Sequence, residues 1–169
     1  MFAVPGFFAG YHPDYARAAL NKMNYFTWLI LKGHTINRAG RVSLASHNPR
    51  EAPTINFNYF EKDDDPCCDD LDSVVAGVEF IRKITARTSS LFVEEIPGKQ
   101  KRSRAQLGAF VRNRAWGHHA CGTCQIGADD DEYAVVDSRF KVRGTQRLRV
   151  VDASIFPAFP VFLSSAQST

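Results

Sequence analysis

Apolar residues recur at helical spacing over residues 71–87. Positions three or four residues apart lie on one face of a helix, and the apolar set that shares this face is Leu71, Val74, Val75, Val78, Ile81 and Ile84. Aspartates at positions 69, 70 and 72 precede the set and basic side chains follow it, which is the charge order that the helix dipole favours. The pattern predicts an amphipathic helix that buries one side.

Two further helices are predicted from their N-terminal residues. Ser103 and Gln106 have the spacing of a capping box, in which each side chain bonds the other residue's backbone N–H. The apolar side of that helix is formed by Leu107, Phe110 and Val111. A shorter helix is predicted over residues 14–22, with Asp14 as its N-cap.

Segments that alternate in polarity or are rich in β-branched residues predict three strands, at residues 25–35, 41–45 and 54–60. Residues 118–122 are expected to add a fourth. Strands of the antiparallel type, joined by loops and interrupted by a few helices, are typical of an α+β domain. We therefore expect an α+β fold in which an antiparallel sheet carries the helix of residues 71–87 on one face.

Composition narrows the class of protein. The chain has 169 residues, 44% of them hydrophobic and 23% charged, which suits a single domain with its own core. A net charge of +3 is too small to indicate a nucleic-acid partner or an anionic membrane surface. No apolar run is long enough to span a bilayer, and neither a signal peptide nor a secreted disulfide scaffold is indicated. We therefore expect a cytoplasmic protein.

Two short segments concentrate the side chains that carry chemistry. Residues 116–124 contain paired histidines, two cysteines and a glycine turn within nine positions. Residues 148–157 have the pattern of a buried strand that ends in small and acidic residues, which lets the backbone approach a ligand closely. We expect the functional site where these two segments meet.

Three chemistries compete for the first of these segments. His118 or His119 together with Cys121 and Cys124 could bind zinc, although no second pair of ligands follows at the spacing of a zinc knuckle. The two cysteines could instead exchange disulfides, but an acidic turn follows them where a redox motif would open a helix. A histidine could also transfer protons near neutral pH. The residues by themselves leave all three open.

The motifs of this region, taken together, resemble those of a known family. Residues 116–127 (WGHHACGTCQIG) contain a histidine, two variable residues and then Gly-Thr-Cys, while residues 134–144 and 148–157 follow in order as AVVDSRFKVRG and LRVVDASIFP. This series is similar to the C-terminal signature of the glucose–methanol–choline (GMC) flavin oxidoreductases. A weaker likeness at residues 40–44 and 53–57 extends the resemblance over nearly the whole chain.

The resemblance implies a role for each matching position. It identifies His119 as the base that accepts the hydroxyl proton of a small-molecule alcohol while hydride passes to FAD. It places His118, Asp152 and Ala153 close to the cofactor. The physics agrees, because an alcohol donates hydride poorly until its oxygen begins to lose the proton to a base within hydrogen-bond reach. The alternative is a non-catalytic zinc-binding domain that uses His118 or His119 with Cys121 and Cys124.

Two departures from the family pattern matter. Leu163 stands where members usually carry a second histidine or an asparagine. The Gly-x-Gly-x-x-Gly fingerprint that binds the cofactor pyrophosphate at a helix N-terminus is absent. We therefore expect residues 1–169 to be a substrate-binding domain, with residues 148–160 returning toward an FAD-binding N-terminal domain that this chain lacks. The chain alone is then expected to be inactive.

Overall fold

The computed structural model describes residues 1–60, 68–88, 91–117 and 119–158. The fold is α+β, as the sequence predicts, and its elements in chain order are β1 (Phe2–Pro5), α1 (Tyr15–Leu20), β2 (Phe26–Leu29), β3 (Arg41–Ser43), β4 (Thr54–Asn56), α2 (Asp69–Ala86), α3 (Arg104–Arg114) and a 3₁₀ turn (Ala153–Ile155). The chain divides into two compact units. Unit 1 comprises residues 1–38 and 59–116, and unit 2 comprises residues 39–58 and the chain from Gly117 onward.

The core of unit 1 lies between α2 and α3. Five buried side chains form it, and they come from both helices: Leu71, Val75, Val78, Leu107 and Val111. Ile30, one residue beyond β2, packs against this cluster beside Gly77, where an added Cβ would lie 3.0 Å from the Ile30 Cγ2. The predicted apolar face of α2 is thus confirmed in its first half. Its C-terminal end differs, since Ile84 is 39% exposed.

The helix N-termini test two of the capping predictions. The capping box of α3 is confirmed, because the Ser103 hydroxyl accepts from the Gln106 backbone N–H and the Gln106 side chain accepts from that of Ser103. Asp14 precedes α1 as predicted, but its side chain makes no capping hydrogen bond. Its backbone is left-handed at φ 65°, whereas a capping side chain needs the extended backbone that Ser103 has.

The strands pair as two separate antiparallel ladders. In unit 1, β1 pairs with β2 in the register Phe2↔Leu29 to Pro5↔Phe26. In unit 2, β3 pairs with β4 in the register Arg41↔Asn56 to Ser43↔Thr54, and all six of its residues are exposed. The predicted strands at 25–35, 41–45 and 54–60 are therefore present but shorter. They do not join one sheet within the described residues.

The fourth predicted strand, at residues 118–122, is wrong for the residues that the structure describes there. Residues 119–122 have no strand assignment. Gly122 has a left-handed φ of 91°, which turns the chain out of the extended conformation. Its N–H donates to the carbonyl oxygen of Ser154, in the second motif segment. His118 lies outside the described residues.

Within the described ranges no helix is both long and apolar enough to cross a lipid bilayer.

Candidate functional site

The two motif segments meet in unit 2 through backbone hydrogen bonds. The N–H groups of Gly122 and Cys124 both donate to the carbonyl oxygen of Ser154, at 3.1 and 3.0 Å. The N–H of Ile126 donates to the carbonyl of Ile155 at 2.9 Å. These bonds lie at alternate residues, so they hold the glycine turn alongside the 3₁₀ turn as a short ladder. The predicted meeting of residues 116–124 with residues 148–157 is confirmed for their described parts.

The middle motif, residues 134–144, is bonded to the first of these segments. Val136 is fully buried and bridges Ile126 in the parallel sense and Val142 in the antiparallel sense. The N–H of Val135 donates to the carbonyl of Gln125 at 2.9 Å. Because Ile126 also bonds to Ile155, one buried valine connects all three motifs.

A carboxylate shapes the turn that follows Val136. Asp137 Oδ1 accepts from the backbone N–H groups of Arg139 and Lys141, at 2.8 and 2.9 Å. The hydrogen bond from the Lys141 backbone is the largest influence and lowers the pKa of the Asp137 carboxyl; desolvation opposes it, and the hydrogen bond from the Arg139 backbone adds to the lowering. Asp137 thus has a local structural role in the motif.

Arg143 is a contributor that the sequence analysis did not single out. Its Nη2 donates to the carbonyls of Gly127 and Ala128, at 3.0 and 2.8 Å, and pairs with the Asp129 carboxylate at 3.2 Å. A planar guanidinium can bond several oxygens of one turn at once, which an ammonium cannot do with the same geometry. The signal that could have found it is the three cations of the middle motif, Arg139, Lys141 and Arg143, set against the acidic run that begins at Asp129.

His119 lies three residues before the Gly122 turn, and its residue surface is exposed. It is therefore reachable by a molecule in solution. His118, the other histidine of the pair, falls outside the described residues. The predicted base is thus exposed and close in sequence to the motif ladder.

The cysteines of this segment are unbridged. Cys121 and Cys124 are free thiols and half-buried. In the described part of the chain, no three His, Cys, Asp or Glu residues lie close enough together to hold a metal ion. A zinc site made of His119, Cys121 and Cys124 alone therefore has no support from their placement.

Asp152 and Ala153 stand at the start of the 3₁₀ turn. The Asp152 carboxylate accepts from the backbone N–H of Ser154 at 2.8 Å and from the Ser154 hydroxyl, and so caps the turn. The hydroxyl hydrogen bond, and then the backbone one, lower the pKa of Asp152, so this exposed carboxyl stays ionised at neutral pH. Ala153 is exposed beside it. Both residues are accessible from solution, and Ser154 links them to Gly122 and Cys124.

Known proteins are similar to this chain. A family model described as GMC oxidoreductase matches residues 37–165. A protein of Aspergillus terreus named glucose methanol choline oxidoreductase atC is 37% identical over 138 residues, which cover 81% of this chain and 22% of that protein. An oxygen-dependent choline dehydrogenase of Proteus mirabilis is 40% identical over 122 residues, which cover 70% of this chain and 21% of that protein.

The fold is also similar to that of a solved protein. A structure described as a new fungal aryl-alcohol oxidase superposes with a TM-score of 0.55 at 29% identity. The match covers 72% of this chain and 20% of the solved one. The chain therefore spans about a fifth of the length of these relatives.

Proposed function

Because the chain belongs to the GMC oxidoreductase family, we propose that it forms the substrate-binding part of an FAD-dependent enzyme that oxidises the CH–OH group of an alcohol. One observation carries the proposal. The hydrogen bonds of Gly122 and Cys124 to Ser154 join the histidine segment to the Asp152–Ala153 segment in one small structure. Two relatives have names that describe oxidation of an alcohol, choline in one and an aryl alcohol in the other.

His119 is the residue that we propose as the base. An imidazole can accept a proton at neutral pH, and an alcohol whose oxygen is losing its proton becomes a far better hydride donor. The exposed position of His119 allows a substrate hydroxyl to approach the ring. The ladder from Gly122 to Ile126 holds the chain that carries it. In this proposal His119 binds the hydroxyl, orients it and takes its proton.

We propose that the described residues of unit 2 contact one end of a flavin and that its phosphates are held elsewhere. Asp152 and Ala153 form an exposed edge next to the ladder, and we propose that this edge, with His118, contacts the ring system of FAD. When bound, FAD would supply the hydride acceptor. The 3₁₀ turn has only three residues, too short to offer the row of N–H groups that holds a pyrophosphate.

The phosphates then need a different part of the enzyme. The 169 residues contain no Gly-x-Gly-x-x-Gly fingerprint, and they span about a fifth of the relatives' length. We therefore propose that residues 1–169 act as the substrate domain and that residues 148–160 lead toward an FAD-binding domain of the longer enzyme.

A His119→Ala exchange in the full-length enzyme tests the proposal. We expect the rate of flavin reduction by the alcohol to fall by about 10²- to 10⁴-fold, because this is the usual contribution of a general base. The FAD content should not change. His47→Ala is the matched control, since His47 is an exposed histidine of the same unit. Flavin reduction at the wild-type rate in His119→Ala would show that another group takes the proton.

A further inference from the structure

A surface cavity of about 540 Å³, open to solvent and lined mostly by exposed residues, lies in unit 1 between one side of α3 and the loop that precedes this helix. Its helical wall consists of Gln106, Ala109, Phe110, Asn113 and Arg114, whose spacing puts them on a single face. The volume falls within the range of small-molecule pockets, which runs from about 300 to 1,000 Å³. The cavity shares no residue with the motif ladder of unit 2.

The loop wall is held in place by one arginine of α2. Arg82 Nε and Nη2 form a two-point pair with the Glu94 carboxylate, at 3.0 and 2.6 Å. Arg82 Nη1 donates to the carbonyl of Lys101 at 2.7 Å, and Nη2 also donates to that of Gly98 at 3.2 Å. A guanidinium that bonds both ends of a loop fixes its path. The loop wall of the cavity is therefore held by contacts within unit 1.

The charges that face the cavity are all positive. Lys101 and Arg114 line it, and no acidic side chain does. The acids of the same loop are engaged elsewhere, since Glu94 pairs with Arg82 and Glu95 pairs with Lys22 at 3.4 Å. An anion that enters this cavity therefore meets two cations and no opposing carboxylate.

The donors of the two cations are available. Lys101 Nζ donates to the Pro97 carbonyl at 3.3 Å, which uses one of the three donors of an ammonium. The Arg114 guanidinium makes no hydrogen bond or ion pair with any other residue in the described part of unit 1. Carboxylates bind a guanidinium in two-point geometry, so an unengaged arginine in a cavity suits that group.

The remainder of the lining mixes polar amides (Gln100, Gln106 and Asn113) with an apolar part. Ile96 and Pro97 on the loop face Ala109 and Phe110 on the helix. Side chains of this kind bind a hydrocarbon or aromatic body by burying its surface. We propose that this cavity is a binding site for a small amphiphilic carboxylate, whose charged group pairs with Lys101 and Arg114 and whose body packs between Pro97 and Phe110.

Binding of two matched probes to the purified chain tests the site. 4-Phenylbutyrate carries the charge, and 4-phenylbutyramide has the same body without it. Titration calorimetry should give a Kd for the carboxylate that is about tenfold lower than for the amide, the difference expected for a charge-assisted pair. Equal affinities, or no binding of either probe, would overturn the proposal. This comparison needs no substitution.

Three variants locate the binding. Ala109→Trp should fill the cavity and abolish binding of both probes. Arg114→Gln should weaken the carboxylate by about tenfold and leave the amide unchanged. Lys83→Gln is the charge-matched control, because Lys83 is an exposed lysine of α2 that does not line the cavity. If Ala109→Trp still bound the probes, or if Lys83→Gln weakened carboxylate binding as much as Arg114→Gln, the probes would bind elsewhere. Far-ultraviolet circular dichroism checks that each variant is folded.

Discussion

Replacing Asp70 by asparagine should destabilise unit 1 more than the same replacement at Asp69 or Asp72, the other two acids at the start of α2. Asp70 is 2% exposed. Its carboxylate accepts from the backbone N–H groups of Ile36 and Asn37 at 3.0 to 3.1 Å, and its Oδ1 pairs with Lys32 Nζ at 3.1 Å. This one side chain joins α2 to the loop that follows β2.

The expected magnitude follows from these partners. Asparagine keeps one oxygen, which at the place of Oδ2 still accepts from both backbone N–H groups, but its NH₂ would then face the Lys32 ammonium. Breaking a buried ion pair costs about 3–5 kcal/mol. Since the Lys32 side chain is 25% exposed and can turn to water, we expect Asp70→Asn to lower the free energy of unfolding by about 2–3 kcal/mol. Asp70→Ala should cost about 3–5 kcal/mol, because both backbone donors also lose their acceptor.

Urea unfolding followed by circular dichroism at the helical band measures this, because α2 and α3 both lie in unit 1. Asp72→Asn is the control. Asp72 is also in the first turn of α2, but its pair with Arg104 is 3.6 Å long and exposed, so the expected loss is below about 1 kcal/mol. If Asp70→Asn and Asp72→Asn lowered the free energy of unfolding equally, burial of the Asp70–Lys32 pair would not explain the contribution of Asp70 to stability.

The pH dependence gives an independent check. Burial by itself would raise the pKa of Asp70, but the backbone N–H groups of Asn37 and Ile36 and the Lys32 ammonium together lower it. A carboxyl with a lowered folded pKa stabilises the folded state above its unfolded pKa, which is about 3.9. That stability disappears as the pH falls through the folded pKa. The difference in unfolding free energy between wild type and Asp70→Asn should therefore be full at neutral pH and shrink below about pH 4.

Two further predictions concern unit 2 and the whole chain. Gly122→Ala should lower its free energy of unfolding by about 1–2 kcal/mol and speed hydrogen exchange at Cys124 and Ile126, because a Cβ is strained at φ 91° and sits 3.6 Å from the Phe156 carbonyl. Gly33→Ala, with open space around its Cβ, is the control, and equal exchange in the two variants would contradict the reasoning. The purified 169-residue chain should contain neither stoichiometric flavin by absorbance nor activity, since it lacks the phosphate fingerprint. A yellow protein would show that the cofactor site is self-contained, and a stoichiometric, chelator-sensitive zinc would instead favour the metal-binding alternative.

The sequence by itself determined the local elements and the order of the motifs. The apolar spacing of α2 and the capping box of α3 depend on residues within a few positions of each other, so the chain's own periodicity predicts them. The strands β3 and β4 followed from alternation in the same way. The histidine segment and its resemblance to a family were also legible in order and spacing, without any coordinates.

Only the tertiary structure decided which hydrogen-bond donors and acceptors of these elements pair with each other. Sequence pattern gave Asp69, Asp70 and Asp72 one common role at a helix N-terminus, yet Asp70 alone of the three is buried. It also predicted a strand through residues 118–122, where the Gly122 N–H bonds to Ser154 instead. In both cases the hydrogen bond that forms joins groups far apart in the chain, and other backbone donors and acceptors could have formed it. Local propensity carries no information about that choice, because every candidate partner offers the same chemical group and only the packed chain brings one of them within reach.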